Sequence, residues 1–273
     1  MTSRLPVFLS ILLLTTVGCA TPSPEITPPK TGEEVVARMI EAHGGLEKWR
    51  SAPTVSYEAT LLFTGFPSPL ISRGIVQQRT RRAYLDFPEM GARLSWDGKQ
   101  AWSENWQGPF PPRFYALHSY YLMNLPWLAA DPGVNLSEPG TGRLWEDSTE
   151  YITVKMTYEQ GMGDTPDDYY ILYIHPSSYR LKAAELTVTY AAVLPPDADT
   201  SPPFVFVYEG FTIVDGLTVP TSASVYQKDR TAQGSYEWRE WSFSEPFDES
   251  RMVMPSNAVL DTSSPTRTAK TPK

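Results

Sequence analysis

The sequence predicts a mainly β (α+β) fold: a curved antiparallel meander of about ten strands, with one helix before it and a helical plug or lid within it. Three observations point there. From residue 54 onward, apolar residues recur at every second position in run after run, the period of half-buried strands. The chain carries 15 Tyr, 11 Phe and 8 Trp, residue types that favour strands over long helices. Only two longer stretches keep a helical period, one at the start of the domain and one in its middle.

The first helix opens at Thr31-Gly32-Glu33-Glu34, which has capping-box form. Val35, Val36, Met39, Ile40 and His43 follow at helical spacing, and Gly44-Gly45 ends the run. A second short turn over 46–50 carries Trp49, and Pro53 closes the segment. In the first strand, Val55, Tyr57, Ala59, Leu61 and Phe63 alternate with polar residues. Further strands are expected near 72–79, 82–87, 92–97, 100–106, 150–158, 169–175, 181–191, 204–214, 217–227 and 235–244. Turn signals at Asp97-Gly98, 161–164 and Asp215-Gly216 separate them, the last being the sharpest hairpin. In the final strand the apolar positions shift from Tyr236 and Trp238 to Trp241 and Phe243, which places a bulge near Arg239-Glu240. The excursion over 110–138 breaks the meander. Phe114, Leu117, Tyr121 and Leu125 share one helical face there, and Pro126 is expected to stop the helix.

Net charge is −8, from 23 Lys and Arg against 31 Asp and Glu, so there is no basic footprint for nucleic acid. One cysteine excludes an internal disulfide, a cysteine-based metal cluster and a CxxC redox site. No nucleophile-elbow, zinc-protease, phosphate-loop or EF-hand pattern occurs, and the expectation is a protein that is not an enzyme and needs no cofactor or metal. His43, His118 and His175 lie far apart in the chain, and a cationic side chain meeting the helix dipole accounts for His43. Asp164 to Asp168 reads as a solvated hairpin loop or a cation loop, and Arg79, Arg81 and Arg82 as a solvated hairpin or a contact for lipid headgroups. Trp102 and Trp106 fall on one strand face by parity, either to stack on a glycan or to fill the bent sheet. Phe114, Leu117, Tyr121, Leu125 and Trp127 exceed what a surface helix requires; they either cap the core or line an acyl-binding pocket, together with Trp102 and Trp106.

The first twenty residues hold one charge, an apolar run over 7–14 too short to span a bilayer, and small residues at the end, as in an export signal. Thr16-Val17-Gly18-Cys19 resembles the bacterial lipobox; an ordinary secretory signal cut near Ala20 is the alternative. That resemblance implies a lipoprotein signal peptide over 1–18 and acyl chains on Cys19, which anchor the protein to a membrane. Ala20 in place of an Asp implies the outer membrane, facing the periplasm. Residues 19–30 then form the lipidated Cys and a Pro-rich tether, 31–260 the domain, and 261–273 a disordered tail.

Within the domain, Ala42-His43-Gly44-Gly45-Leu46 with Trp49, the turn Trp96-Asp97-Gly98-Lys99, Tyr121 to Pro126 with Asp131-Pro132-Gly133, Tyr170 to His175, and Val214 to Pro220 occur in an order that resembles the bacterial lipoprotein-sorting (LolA/LolB-like) superfamily. This resemblance implies a strongly bent, incomplete antiparallel β-barrel whose helices close an apolar cavity for lipid or lipoprotein acyl chains. An envelope protein partner, or a glycan, is the alternative ligand.

Overall fold

The computed structural model describes residues 29–266. Cys19, the signal peptide and most of the tether lie outside the described residues, as do residues 267–273. Helix α1 spans Gly32–Ala42, with the capping box formed as expected: Thr31 accepts from the Glu34 amide while the Glu34 carboxylate reaches back to the Thr31 amide. Its buried stripe is Val35, Val36, Met39 and Ile40. Helix α2 follows at Leu46–Ser51 and buries Trp49.

Among the described residues, fourteen strands form one sheet that does not close. The first meander is β1 (Thr54–Phe63), β2 (Leu70–Gln77), β3 (Ala83–Phe87), β4 (Ala92–Trp96) and β5 (Ala101–Glu104). After the excursion come β6 (Val134–Leu136) and β7 (Gly140–Gly142), then the second meander: β8 (Tyr151–Tyr158), β9 (Tyr170–Ile174), β10 (Leu181–Leu186), β11 (Phe204–Val214), β12 (Leu217–Gln227) and β13 (Ala232–Ser242). A two-residue β14 (Val259–Leu260) pairs with β5. The meanders join where β1 pairs with β13, so β5 and β8 end up in opposite wings of the sheet. The chain between those wings must cross the sheet. It does so as α3 (Pro112–Leu128), a 17-residue helix about 25 Å long that packs on β3, β4, β5 and β12.

Local turn chemistry behaves as the sequence predicts. Asp215 and Gly216 both take positive φ between β11 and β12, which is what a tight two-residue hairpin requires. Tyr57 opposes two residues of β13, and Glu240, at φ 53°, is the bulged one. Parity fails at Asn105, whose φ of 53° ends the alternation of β5. As a result Trp102, paired with Ser95, faces away from the core, whereas Trp106 packs inside on Phe87 and Tyr115; the two do not share a face.

The main core runs through both wings and both long helices, and a smaller cluster of Leu144, Tyr151, Ala183, Val205 and Val207 covers the outer side of the second wing. Three expectations need correction. The helix does not stop at Pro126 but continues through it to Leu128, because the Leu122 carbonyl that Pro126 cannot serve accepts instead from the Tyr208 hydroxyl at 2.5 Å. His43 is no exposed cation: it is fully buried, its Nδ1–H donates to the Met39 carbonyl, and burial pulls its pKa down to about 4. The start of the tail belongs to the fold, since the Asp261 amide donates to the Ala101 carbonyl and the Asp261 carboxylate accepts from the Arg113 amide.

Candidate functional site

Two regions of α3 collect the side chains that the sequence singled out. Around its C-terminal half lies a packed knot. The Trp49 indole donates to Asn124 at 2.8 Å and stacks on Trp127 at 5.8 Å with the rings nearly parallel. The Asn124 amide in turn donates to the Tyr120 carbonyl. Arg81 lies over both Trp49 and Tyr120 and pairs with Asp131 at 2.9 Å. Nearby, the Thr218 amide donates to the His43 carbonyl, and Gly44, at φ 103°, lies so close to the Gly216 carbonyl that a Cβ would come within 2.3 Å of it. The motifs around His43, Asn124, Asp131 and Asp215 therefore meet in space. Arg81 and Arg82 are not a solvated hairpin either, for Arg82 pairs with Glu249.

Beside the N-terminal half of α3 the chain leaves a cleft of about 300 Å3. One wall is α3, through Phe114, Leu117, His118 and Tyr121. Tyr158, Tyr170, Leu186 and Val188 face it from the second wing, Trp96 lies at the first wing, and the β8–β9 loop adds Met162, Asp164 and Thr165. Phe114 and Leu117 are only half-buried, and Tyr121 and Met162 are 37% and 38% exposed. Arg113 straps the entrance. Its guanidinium bonds both carboxylate oxygens of Asp164, at 2.5 and 2.7 Å, and lies 5.0 Å over the Trp96 ring. The 164–168 loop is thus docked on the helix, not merely solvated, and Asp168 accepts from the Thr189 amide and hydroxyl at 2.6 and 2.7 Å. Burial raises the pKa of Asp131, Asp168 and the Tyr158 and Tyr170 hydroxyls. It lowers that of His118 to about 4, leaving a neutral ring whose Nε2 meets the Tyr236 hydroxyl at 2.5 Å.

Of the residues chosen from sequence, Phe114, Leu117 and Tyr121 line the cleft. Leu125 and Trp127 are buried in the core instead, Trp106 fills the sheet behind Tyr115, and Trp102 lies on the outer face. Sequence reasoning missed Arg113, Tyr158 and Leu186, and read Asp168 only as part of a solvated or cation-binding loop. No periodicity marks Tyr158 and Leu186, since only the pairing of β8, β9 and β10 brings them opposite α3, and Arg113 stands on α3 itself, ahead of the apolar face. A second, wider groove of about 610 Å3 lies on the outer face of β1 to β3. It is walled by ion pairs, Glu58 with Arg73 and Arg239 and Asp86 with Arg251, and offers little apolar surface to a lipid. Among the described residues no group of three or more His, Cys, Asp or Glu is placed to hold a metal ion, and no helix is long and apolar enough to cross a membrane.

No protein-family model matches the sequence, and neither does any curated protein. Solved structures do match in shape. A DUF1329 family protein from Desulfovibrio piger superposes with a TM-score of 0.53 at 8% identity, over 82% of this chain and 98% of that one. A LolA superfamily protein from Nitrosomonas europaea gives 0.48 at 11% identity, over 82% and 98%. An outer membrane lipoprotein-sorting protein domain from Vibrio parahaemolyticus gives 0.44 at 9%, over 77% and 97%. At such identities the likeness to the DUF1329 family protein is one of fold alone, here a long antiparallel sheet that does not close, with a helix across it.

Proposed function

We propose that this protein is a membrane-anchored, non-enzymatic binder of a hydrophobic ligand, a lipid or an acyl chain, held in the cleft beside α3. The single observation that carries the reading is the cleft wall: Phe114, Leu117 and Tyr121 present apolar surface to open space in a chain whose other large side chains are mostly packed. The volume of about 300 Å3 stands at the small end for ligand pockets and suits one chain, not the three of a lipoprotein anchor, unless the β8–β9 loop moves aside. Ten buried methylenes supply about 8 kcal/mol gross, of which association and chain ordering consume several. Such a ligand needs few directional contacts. Acylation of Cys19, with the tether over 19–30, would hold the domain at the envelope, and Ala20 favours the outer membrane. The test is the intact mass of the membrane-extracted protein, together with mass spectrometry of the lipid it carries. We expect an acylated Cys19 and about one apolar molecule per chain; a clean extract that also takes up no fluorescent acyl probe would overturn the binding reading.

A second reading, an envelope interaction module, is favoured by the exposed Val253, Met254 and Val259, at 71%, 44% and 67% exposure. It predicts one specific crosslinked partner in native membranes that Met254→Asp and Val259→Asp abolish.

A further inference from the structure

The charges around the cleft are not balanced. Arg113 is spent on Asp164, and Asp131 is held by Arg81. Asp168, which also lines the cleft, has no Lys or Arg partner among the described residues; its carboxylate is met by neutral donors, the Thr189 amide and hydroxyl and the Thr165 side chain. A carboxylate half removed from water, beside an apolar wall and without a counter-ion, is electrostatically costly unless a cation comes to it. The hydroxyl-bearing rings of Tyr158 and Tyr170 stand in the same wall and offer further acceptors.

We infer that the ligand is an amphiphile whose polar end carries an ammonium group, seated against Asp168 while its chain lies along Phe114, Leu117 and Tyr121. This deepens the acyl-binding reading and rests on it. An anionic head is the poorer fit, because it would have to displace Asp164 from both of its contacts with Arg113 and would then face Asp131 and Asp168. An uncharged head would leave Asp168 as it stands.

The experiment titrates three twelve-carbon probes, dodecylammonium, dodecanol and dodecanoate, each below its micelle concentration, into the full chain carrying Cys19→Ser, which has no thiol to acylate. Dodecylammonium should bind about tenfold more tightly than dodecanol, the factor for one charge-assisted hydrogen bond, and dodecanoate more weakly than both. Asp168→Asn should bring dodecylammonium level with dodecanol and leave dodecanol binding unchanged. Asp167→Asn, an exposed neighbour outside the cleft, should keep the preference and so removes general attraction to an acidic protein as the cause. If Asp168→Asn does not fold, the ranking of the three probes on the unsubstituted loop decides. Equal binding of dodecylammonium and dodecanol, or tightest binding of dodecanoate, overturns this inference and leaves the acyl-binding reading standing. Failure of all three to bind overturns both.

Discussion

One helix serves two regions with opposite packing. At the C-terminal half of α3, Trp49, Asn124, Trp127 and Arg81 are stacked, hydrogen-bonded and ion-paired, with Trp49 and Trp127 at 1% and 0% exposure. At its N-terminal half, Phe114, Leu117 and Tyr121 look onto open space. The composition of the two halves hardly differs; both are aromatic and apolar. What differs is what stands opposite. The knot faces α2 and the β2–β3 turn, close in sequence and tightly connected, whereas the cleft faces a wing that reaches α3 only from the far side of the sheet. A helix pinned at one end can tolerate an unfinished surface at the other, and that unfinished surface is where a ligand gains most.

If the knot carries the stability, damage there should be the most severe. Trp127→Ala removes a fully buried indole and its stack on Trp49, and should cost about 3–5 kcal/mol, read from urea unfolding midpoints. A loss below about 1 kcal/mol would remove the contrast between the two halves.

Acid sharpens the comparison next. His43, which meets Trp127 edge-on at 5.9 Å, has a pKa of about 4 when folded against 6.5 when free. Between those values the unfolded chain binds a proton that the folded chain refuses, so this contribution to stability is complete above pH 6.5 and falls as pH drops towards 4. The shift amounts to about 3 kcal/mol. His43→Asn should flatten the dependence of the urea midpoint on pH over that window, whatever it does to stability at pH 7. A slope unchanged in the variant would mean that His43 does not titrate this way.

Effects on the cleft should be smaller in stability and larger in binding. Leu117→Ala trims a half-buried side chain and should shift stability by less than about 1.5 kcal/mol while weakening a fluorescent acyl probe severalfold. Equal losses from Leu117→Ala and Trp127→Ala in the binding assay would argue that the cleft is not the site. The smallest effect belongs to the strap. Arg113→Gln breaks a partly exposed ion pair worth about 1 kcal/mol or less, but it should speed probe entry, seen as a faster association phase in stopped flow.

Much of this architecture was readable along the chain, and the exceptions have local causes. The capping box at Thr31 and Glu34, the Asp215-Gly216 hairpin and the bulge at Glu240 follow from residue types acting within a few positions of themselves. Three of the four residues on the predicted helical face, Phe114, Leu117 and Tyr121, reach the cleft, because spacing alone decides which residues share a face. The fourth, Leu125, turns into the core as the helix meets the knot. Parity misplaced Trp102 relative to Trp106 because a single left-handed residue, Asn105, lies between them, and nothing nearby announces it. Pro126 misled for a different reason: its cost is met by Tyr208, more than eighty residues away in the chain.

The sequence by itself determined the class of fold, the order of its elements and the apolar stripe of α3, since hydrophobic period, caps and turn residues act over short distances. The resemblance of Thr16 to Cys19 to a lipobox also stands in the sequence alone. Only the tertiary structure decided that the stripe would border an opening, which residues would face it and which carboxylate there would have no Lys or Arg partner among the described residues. Those outcomes depend on β1 pairing with β13, where Ser56 meets Ser242, and on the second wing bringing Tyr158, Leu186 and Asp168 across to α3. Contacts over such separations arise from the summed burial of a whole sheet, and no local pattern encodes them.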